Sequence, residues 1–169
     1  AQELSLLQVA QTEGLRFDLA ELAFFSHWIT PVIEPKPFDT RFFVARAPAE
    51  QVAKHDKLET TDSIWITPGE ALARARKSEL LLAPPTIRTL EQIAEFESTA
   101  SALEWAKNVI PPCLIPHFDD STEPLTLLLP GDPLCPHGAY PDAEQVDDDI
   151  TRMIMDGAFW RSECAKDRQ

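Results

Sequence analysis

Ser63-Ile64-Trp65-Ile66-Thr67-Pro68-Gly69-Glu70-Ala71-Leu72-Ala73-Arg74-Ala75-Arg76-Lys77 changes period halfway along, and that change decides the fold class. Ser63 to Thr67 is a short apolar run of strand formers centred on Ile64, Trp65 and Ile66. Thr67 then offers an N-cap oxygen, and Pro68 suits the first helical position, where its missing N–H is not needed. Glu70 completes a Thr-x-x-Glu capping box. The helix is expected to run to about Lys77, with Arg74, Arg76 and Lys77 at the negative end of its dipole. A strand feeding a capped helix predicts a mixed α/β chain.

Upstream, Thr40 to Ala47 has strong β propensity with apolar residues on both faces, which predicts a buried central strand. Leu22 to Thr30 reads as another strand, followed by a Pro-rich loop from Pro31 to Pro37. Leu4, Leu7 and Ala10 stand at helical spacing within residues 3 to 13, and Gly14 suits the end of that helix. Asp18 can cap a short turn through Ala20. Downstream, Pro84-Pro85 is expected to break the chain before a helix capped by Thr86 or Thr89. A further helix runs from about Ser98 to Lys107, and Pro111-Pro112 breaks the chain again. Strands follow at Cys113 to Phe118 and Leu125 to Leu129, then a long loop from Pro130 to Asp149. Asp156-Gly157 between apolar segments signals a hairpin.

The 169 residues suffice for one domain with a core, or one domain and a small appendage. A net charge of −13 argues against nucleic acid and against an anionic membrane surface, because both need clustered cations. It leaves room for an anionic small molecule held by a local cationic pocket or a metal ion. No apolar run exceeds four residues, as at Leu80 to Ala83, so no bilayer span is expected. Cys113, Cys135 and Cys164 are odd in number and far apart, which fits a reduced, cytoplasmic protein. The chain opens on Ala1 in what reads as mid-helix, so a fragment or a processed chain is expected.

Gly-rich phosphate loops, nucleophile elbows and His-Glu-x-x-His or Cys-x-x-Cys pairs are all missing from the sequence. Cys113, His117, Cys135 and His137 could form a tetrahedral zinc site, or be buried thiols and loop histidines. His117, Asp119, Asp120 and Glu123 could hold a divalent ion, or be a solvated acidic turn; Asp147-Asp148-Asp149 reads as a solvated run. Glu50, His55, Asp56 and Glu59 share one polar loop, where a carboxylate could serve as base or metal ligand if the loop covers a phosphate. Arg41, on a very apolar strand beside Asp39, either pairs with a carboxylate or grips a phosphate in a cleft.

Four strings in order carry a family resemblance. They are Trp28-Ile29-Thr30-Pro31 with Phe38-Asp39-Thr40-Arg41-Phe42-Phe43-Val44-Ala45, then His55-Asp56-x-x-Glu59, then Trp65-Ile66-Thr67-Pro68-Gly69-Glu70-Ala71-Leu72, and Leu81-Leu82-Ala83-Pro84-Pro85-Thr86 with Thr89-Leu90. Leu129-Pro130-Gly131-Asp132-Pro133 adds a fifth. The succession resembles the part of Nudix hydrolases that follows the catalytic helix, in the branch similar to peroxisomal coenzyme A diphosphatases. The resemblance implies an α/β/α sandwich around a mixed sheet, here incomplete. Residues 1–110 would form the C-terminal portion of the Nudix-like domain and residues 111–169 an extension with short strands and a long loop.

It also implies water attack on a diphosphate, with magnesium or manganese offsetting the phosphate charge and lowering the pKa of the water. The implied substrates are nucleotide-type small molecules, coenzyme A and its acyl esters among them. The glutamate-rich Nudix box (Arg-Glu-U-x-Glu-Glu at its core, U aliphatic) matches no stretch, and both Arg74 to Leu80 and Glu91 to Glu97 fail it. No metal ligand is therefore carried over, and no metal is expected on this chain alone. Arg41 for substrate binding and Glu59 for catalysis are the residues the resemblance supports. An incomplete sheet would expose edges, so a homodimer or a complementary N-terminal fragment is an expected partner. The alternative is a non-catalytic binding or assembly module with a degenerate fold of the same kind.

Overall fold

A computed structural model describes residues 4–31, 36–50, 52, 55, 57, 62–121, 123–136 and 149–165. Helix α1 spans Leu6–Glu13, opened by a capping box between Ser5 and Gln8 and closed by Gly14 in the left-handed conformation. A 3-10 turn at Leu19–Glu21 leads into β1, Ala23–Ile29; the Asp18 side chain makes no cap hydrogen bond there, contrary to expectation. β2 is Asp39–Val44, and three helices follow: α2 Pro68–Arg76, α3 Pro84–Ala94 and α4 Thr99–Asn108. Four short or medium strands come next, β3 Cys113–Leu114, β4 His117–Asp119, β5 Thr126–Leu128 and β6 Ile150–Asp156, and β7 Phe159–Cys164 is the last element among the described residues.

The fold is mixed α/β, as expected, although the strand half of the period change at Ser63 to Thr67 does not form. Its strands form two sheets, β2-β1-β3 and β4-β5-β6-β7. In the first, β1 pairs antiparallel with β2 and parallel with β3. In the second, all neighbours are antiparallel. One core unites both sheets: Trp28 and Leu114 of the first meet Leu127, Met153, Phe159 and Trp160 of the second, with Leu72 and Ala75 of α2 and Ile87 of α3 between them. A smaller cluster seats Ala106 of α4 on Ala23 and Phe25 of β1, where Trp105 meets Phe25 edge-on at 6.0 Å.

Four expectations about elements change. Thr40 to Ala47 is not a buried central strand: β2 is the edge of its sheet, and none of its residues is fully buried. Ser63 to Thr67 forms no strand and lies exposed, with Ile64 at 53% and Trp65 at 79%. Strand propensity needs a partner, and among the described residues this segment has none. Pro84-Pro85 starts α3 instead of breaking the chain, since the first helical N–H groups have no intrahelical partner to lose. Thr86 and Thr89 sit inside that helix, and its N-cap, Ala83, supplies no side-chain bond.

Cys113 to Phe118 divides into two strands in different sheets. Pro116 lacks the N–H that a continuous ladder would use, so the chain crosses between sheets at Ile115 and Pro116. The long loop read from Pro130 to Asp149 lies mostly outside the described residues, and two local signals are present. Thr67 accepts from the Glu70 N–H at 3.2 Å, although the Glu70 carboxylate accepts from Arg74 at 3.1 Å and does not return to close the capping box. The Asp156-Gly157 signal is a hairpin in which Asp156 faces Phe159, and Gly157 has φ of 62°.

Candidate functional site

Pairing of β1 with β2 places His27 opposite Arg41 and Ile29 opposite Asp39. Alternation then puts these side chains on the face opposite Trp28, away from the shared core. Asp39 binds both cationic neighbours: His27 Nε2 donates to Oδ1 at 2.7 Å and an Arg41 terminal nitrogen donates to Oδ2 at 3.2 Å. His27 is largely covered, its side chain 16% exposed, while Asp39 and Arg41 are about half exposed, at 48% and 53%. On the other side of β1, Cys113 stands in register with His27, so Arg41, His27 and Cys113 form a row across the sheet. Phe24 and Phe43 continue this face, their rings 5.4 Å apart.

Arg41 therefore takes the paired option, with Asp39 as its carboxylate. The pair is open to solvent, and a phosphate could compete for the guanidinium fork in a bidentate contact. His27 is the member that reading the sequence missed. Its signal was the alternation around Trp28, but its link to Asp39 depends on strand register, which no local pattern carries. Glu59, with Asp56, His137, Asp147 and Asp148, lies outside the described residues.

Around the edge of β2, on the core side, Thr40 lines a cleft of about 200 Å³. Its lining includes Trp28, Phe38, Pro84, Pro85, Phe118 and Leu127, and among the described residues Lys36 is the charged one. The Lys36 ammonium lies 5.7 Å from the centre of the Phe38 ring. A larger hollow of about 640 Å³ opens between Ala45 to Ala47, exposed Trp65 and the starts of α2 and α4.

Metal chemistry finds no support in these positions. Among the described residues, no group of three or more His, Cys, Asp or Glu is placed to hold a metal ion. Cys113, His117 and Cys135 are thus not gathered into a zinc site. The acidic turn is organised by Ser121, whose N–H and Oγ donate to Asp119 Oδ1 at 3.1 and 2.5 Å. These bonds hold the Asp119 carboxyl below its ordinary pKa, the side-chain bond contributing most. Burial raises the Cys135 thiol, and the nearby charge of Asp132 adds to the shift.

The site is thus a cationic and acidic group on one side of an edge strand, with an apolar cleft on the other. Two curated relatives share sequence with the chain. It is 33% identical over 76 residues to the acyl-coenzyme A diphosphatase NUDT19 of Xenopus laevis, covering 43% of this chain and 20% of that protein. It is 28% identical over 167 residues to the acyl-coenzyme A diphosphatase NUDT19 of Gallus gallus, covering 89% of this chain and 42% of that protein. The resemblance to coenzyme A diphosphatases quoted above from local strings is therefore present across most of the chain, at low identity. The chain spans less than half the length of either relative. No family model matches it, and no solved structure does. No helix among the described residues is long and apolar enough to cross a membrane.

Proposed function

We propose that the chain is the substrate-side portion of a Nudix-type hydrolase acting on nucleoside-diphosphate-linked compounds, with coenzyme A or its acyl esters as substrates. The observation that carries this reading is its similarity to acyl-coenzyme A diphosphatases along 89% of its length. The full-length protein would supply the glutamates that hold magnesium or manganese. The described residues of this chain do not fit such an ion.

The chain's own contribution is binding and orientation. Arg41 would exchange its Asp39 contact for a substrate phosphate, drawing the anion to the open face of β1 and β2. Asp39 would keep its bond to His27, so releasing Arg41 would not leave that carboxylate without a partner. The test is hydrolysis of coenzyme A by full-length protein with magnesium, followed as release of 3′-phosphoadenosine-5′-phosphate. Arg41→Ala should raise KM about tenfold or more, the loss of a charge-assisted contact of roughly 1.5 to 3 kcal/mol. Absence of any magnesium-dependent product from the full-length protein would sink the reading. Inactivity would favour a binding or assembly module, which the exposed Leu6, Leu7, Leu15 and Leu19 would serve as an apolar contact surface.

A further inference from the structure

The open face of the first sheet holds one carboxylate between an imidazole and a guanidinium, and that arrangement couples anion binding to a proton. We propose that His27 is a positioning residue for an anion site at Arg41: its proton sets how freely Arg41 leaves Asp39 to grip a sulfate- or phosphate-like dianion. That the natural dianion is a substrate phosphate rests on the hydrolase reading; the proton linkage rests on the three side chains themselves.

A β-bulge sets His27 on this face. The β1–β2 register skips Phe25, which turns inward to the smaller core and is 5% exposed. Phe24 and His27, three residues apart, therefore share the outer face, their ring centres 6.0 Å apart. Ser26 and Trp28 point the other way and bond to each other, Trp28 Nε1 donating to Ser26 Oγ at 3.0 Å. In an unbulged strand Phe24 and His27 would lie on opposite faces, because side chains alternate.

Asp39 has a single negative charge to share. His27 Nε2 donates to Oδ1 at 2.7 Å and Arg41 donates to Oδ2 at 3.2 Å, so each oxygen has its own partner. In the neutral ring the Nε2 proton makes its bond already, and a further proton goes to Nδ1. With the neutral ring the group has no net charge, since the Arg41 cation cancels the Asp39 anion. With the protonated ring the group is positive and Asp39 has a second counter-ion, so Arg41 leaves at lower cost. Arg41 is the partner that leaves: its contact is the longer one, and its side chain is 53% exposed against 16% for His27. On the other side β3 adds Cys113 to the row, in register with His27, while α4 packs on the opposite face against Ala23 and Phe25. Cys113 is a further titratable group beside the imidazole and needs its own control.

The test is sulfate binding to this chain, followed by NMR at the Arg41 side-chain N–H from about pH 5 to about pH 8, where imidazoles titrate. Sulfate stays a dianion throughout, so only the protein changes protonation. Low ionic strength is needed, because Arg41 and Asp39 are half exposed and salt screens such charges. Affinity should rise about three- to tenfold as pH falls across this range, the effect of one added charge beside a solvent-exposed anion. His27→Gln retains an amide that can donate to Asp39 but takes up no proton, and should lose most of that dependence. Asp39→Asn removes the competing carboxylate and should bind sulfate at the upper end of the range at least as tightly as the native chain does at the lower end. Cys113→Ser should keep the native profile. With Arg41→Gln, sulfate-induced shifts at the Phe42 and Phe43 amides should disappear.

Absence of sulfate binding at Arg41 at every pH overturns the proposal, as does a pH dependence that survives in His27→Gln or vanishes in Cys113→Ser. In the full-length protein, KM for coenzyme A should rise with pH over the same range, and His27→Gln should flatten that rise. Proton-linked sulfate binding by this chain, without hydrolysis by the full-length protein, supports the anion site while the hydrolase reading falls. Hydrolysis with one KM profile in native and His27→Gln protein leaves the hydrolase reading standing and removes His27 from it.

Discussion

Asp132 is 3% exposed yet carries a carboxylate, and its position is intelligible only from its partners. Arg152 donates through Nε and a terminal nitrogen at 2.8 and 2.9 Å, Thr151 Oγ1 at 2.8 Å and the Leu134 N–H at 2.9 Å. These bonds fasten the turn after β5, where Gly131 has φ of 98°, to β6. Removing the carboxylate leaves a buried guanidinium unpaired, so Asp132→Ala should destabilise the chain by about 3 to 5 kcal/mol in urea unfolding. Asp119 gives a subtler prediction. Its folded pKa is depressed, so its contribution to folding is present above the ordinary value of 3.8 and is lost as pH falls through the lower folded value. Ser121→Ala should move the Asp119 midpoint upward toward 3.8 in an NMR titration of the carboxyl carbon. At this scale the sequence named Arg41, Asp39 and Asp119 as candidates. It was silent on His27 and on Arg152, because both owe their roles to partners on other strands.

Three helices start at a side chain that caps them. Ser5, Thr67 and Ser98 cap α1, α2 and α4, each accepting a backbone N–H within the next turn. Thr67→Ala should therefore cost about 1 kcal/mol in thermal or urea unfolding. In the β6–β7 hairpin, Gly157 meets nothing within 4 Å of a would-be Cβ, so the whole cost of Gly157→Ala is backbone strain at φ of 62°. That cost is about 1 to 2 kcal/mol, and a comparable loss is not expected at Gly69, which has no such φ. Elements whose identity depends on a neighbour are different. Ser63 to Thr67 has the composition of a strand but no partner among the described residues, and β2 has the composition of an inner strand but only β1 beside it.

Over the whole molecule, burial and charge oppose one another. The N-terminal segment exposes Leu6, Leu7, Leu15, Phe17, Leu19 and Leu22, all at 45% or more. The net charge of −13 keeps copies apart at neutral pH, and the sequence pI is about 4.6. Light scattering should accordingly show association rising steeply as pH approaches 4.6, and Leu6→Glu with Leu19→Glu should shift that onset to lower pH. Unchanged scattering in the double variant would show that the apolar segment is not what associates. The sheets, by contrast, are joined by one well-filled core in which Ile87, Met153 and Leu129 are at most 1% exposed. Residues from before and after position 110 contribute to it, from Trp28 to Trp160.

The sequence by itself determined the mixed α/β class, the capped start of α2 at Thr67, the hairpin at Gly157 and the family likeness. Each of these is written within a few residues, as a side chain that caps, a ring that fixes φ, a missing Cβ, or a string read in order. Only the tertiary structure decided that β2 is an edge, that Pro116 sends the chain from one sheet to the other, and that Asp39 joins His27 to Arg41. The cleft at Thr40 belongs with them, since its lining comes from segments ninety or more residues apart, Trp28 to Phe118 and Leu127. Pairing and packing are chosen among distant segments by register and by the surface each can bury, and no local pattern records that choice.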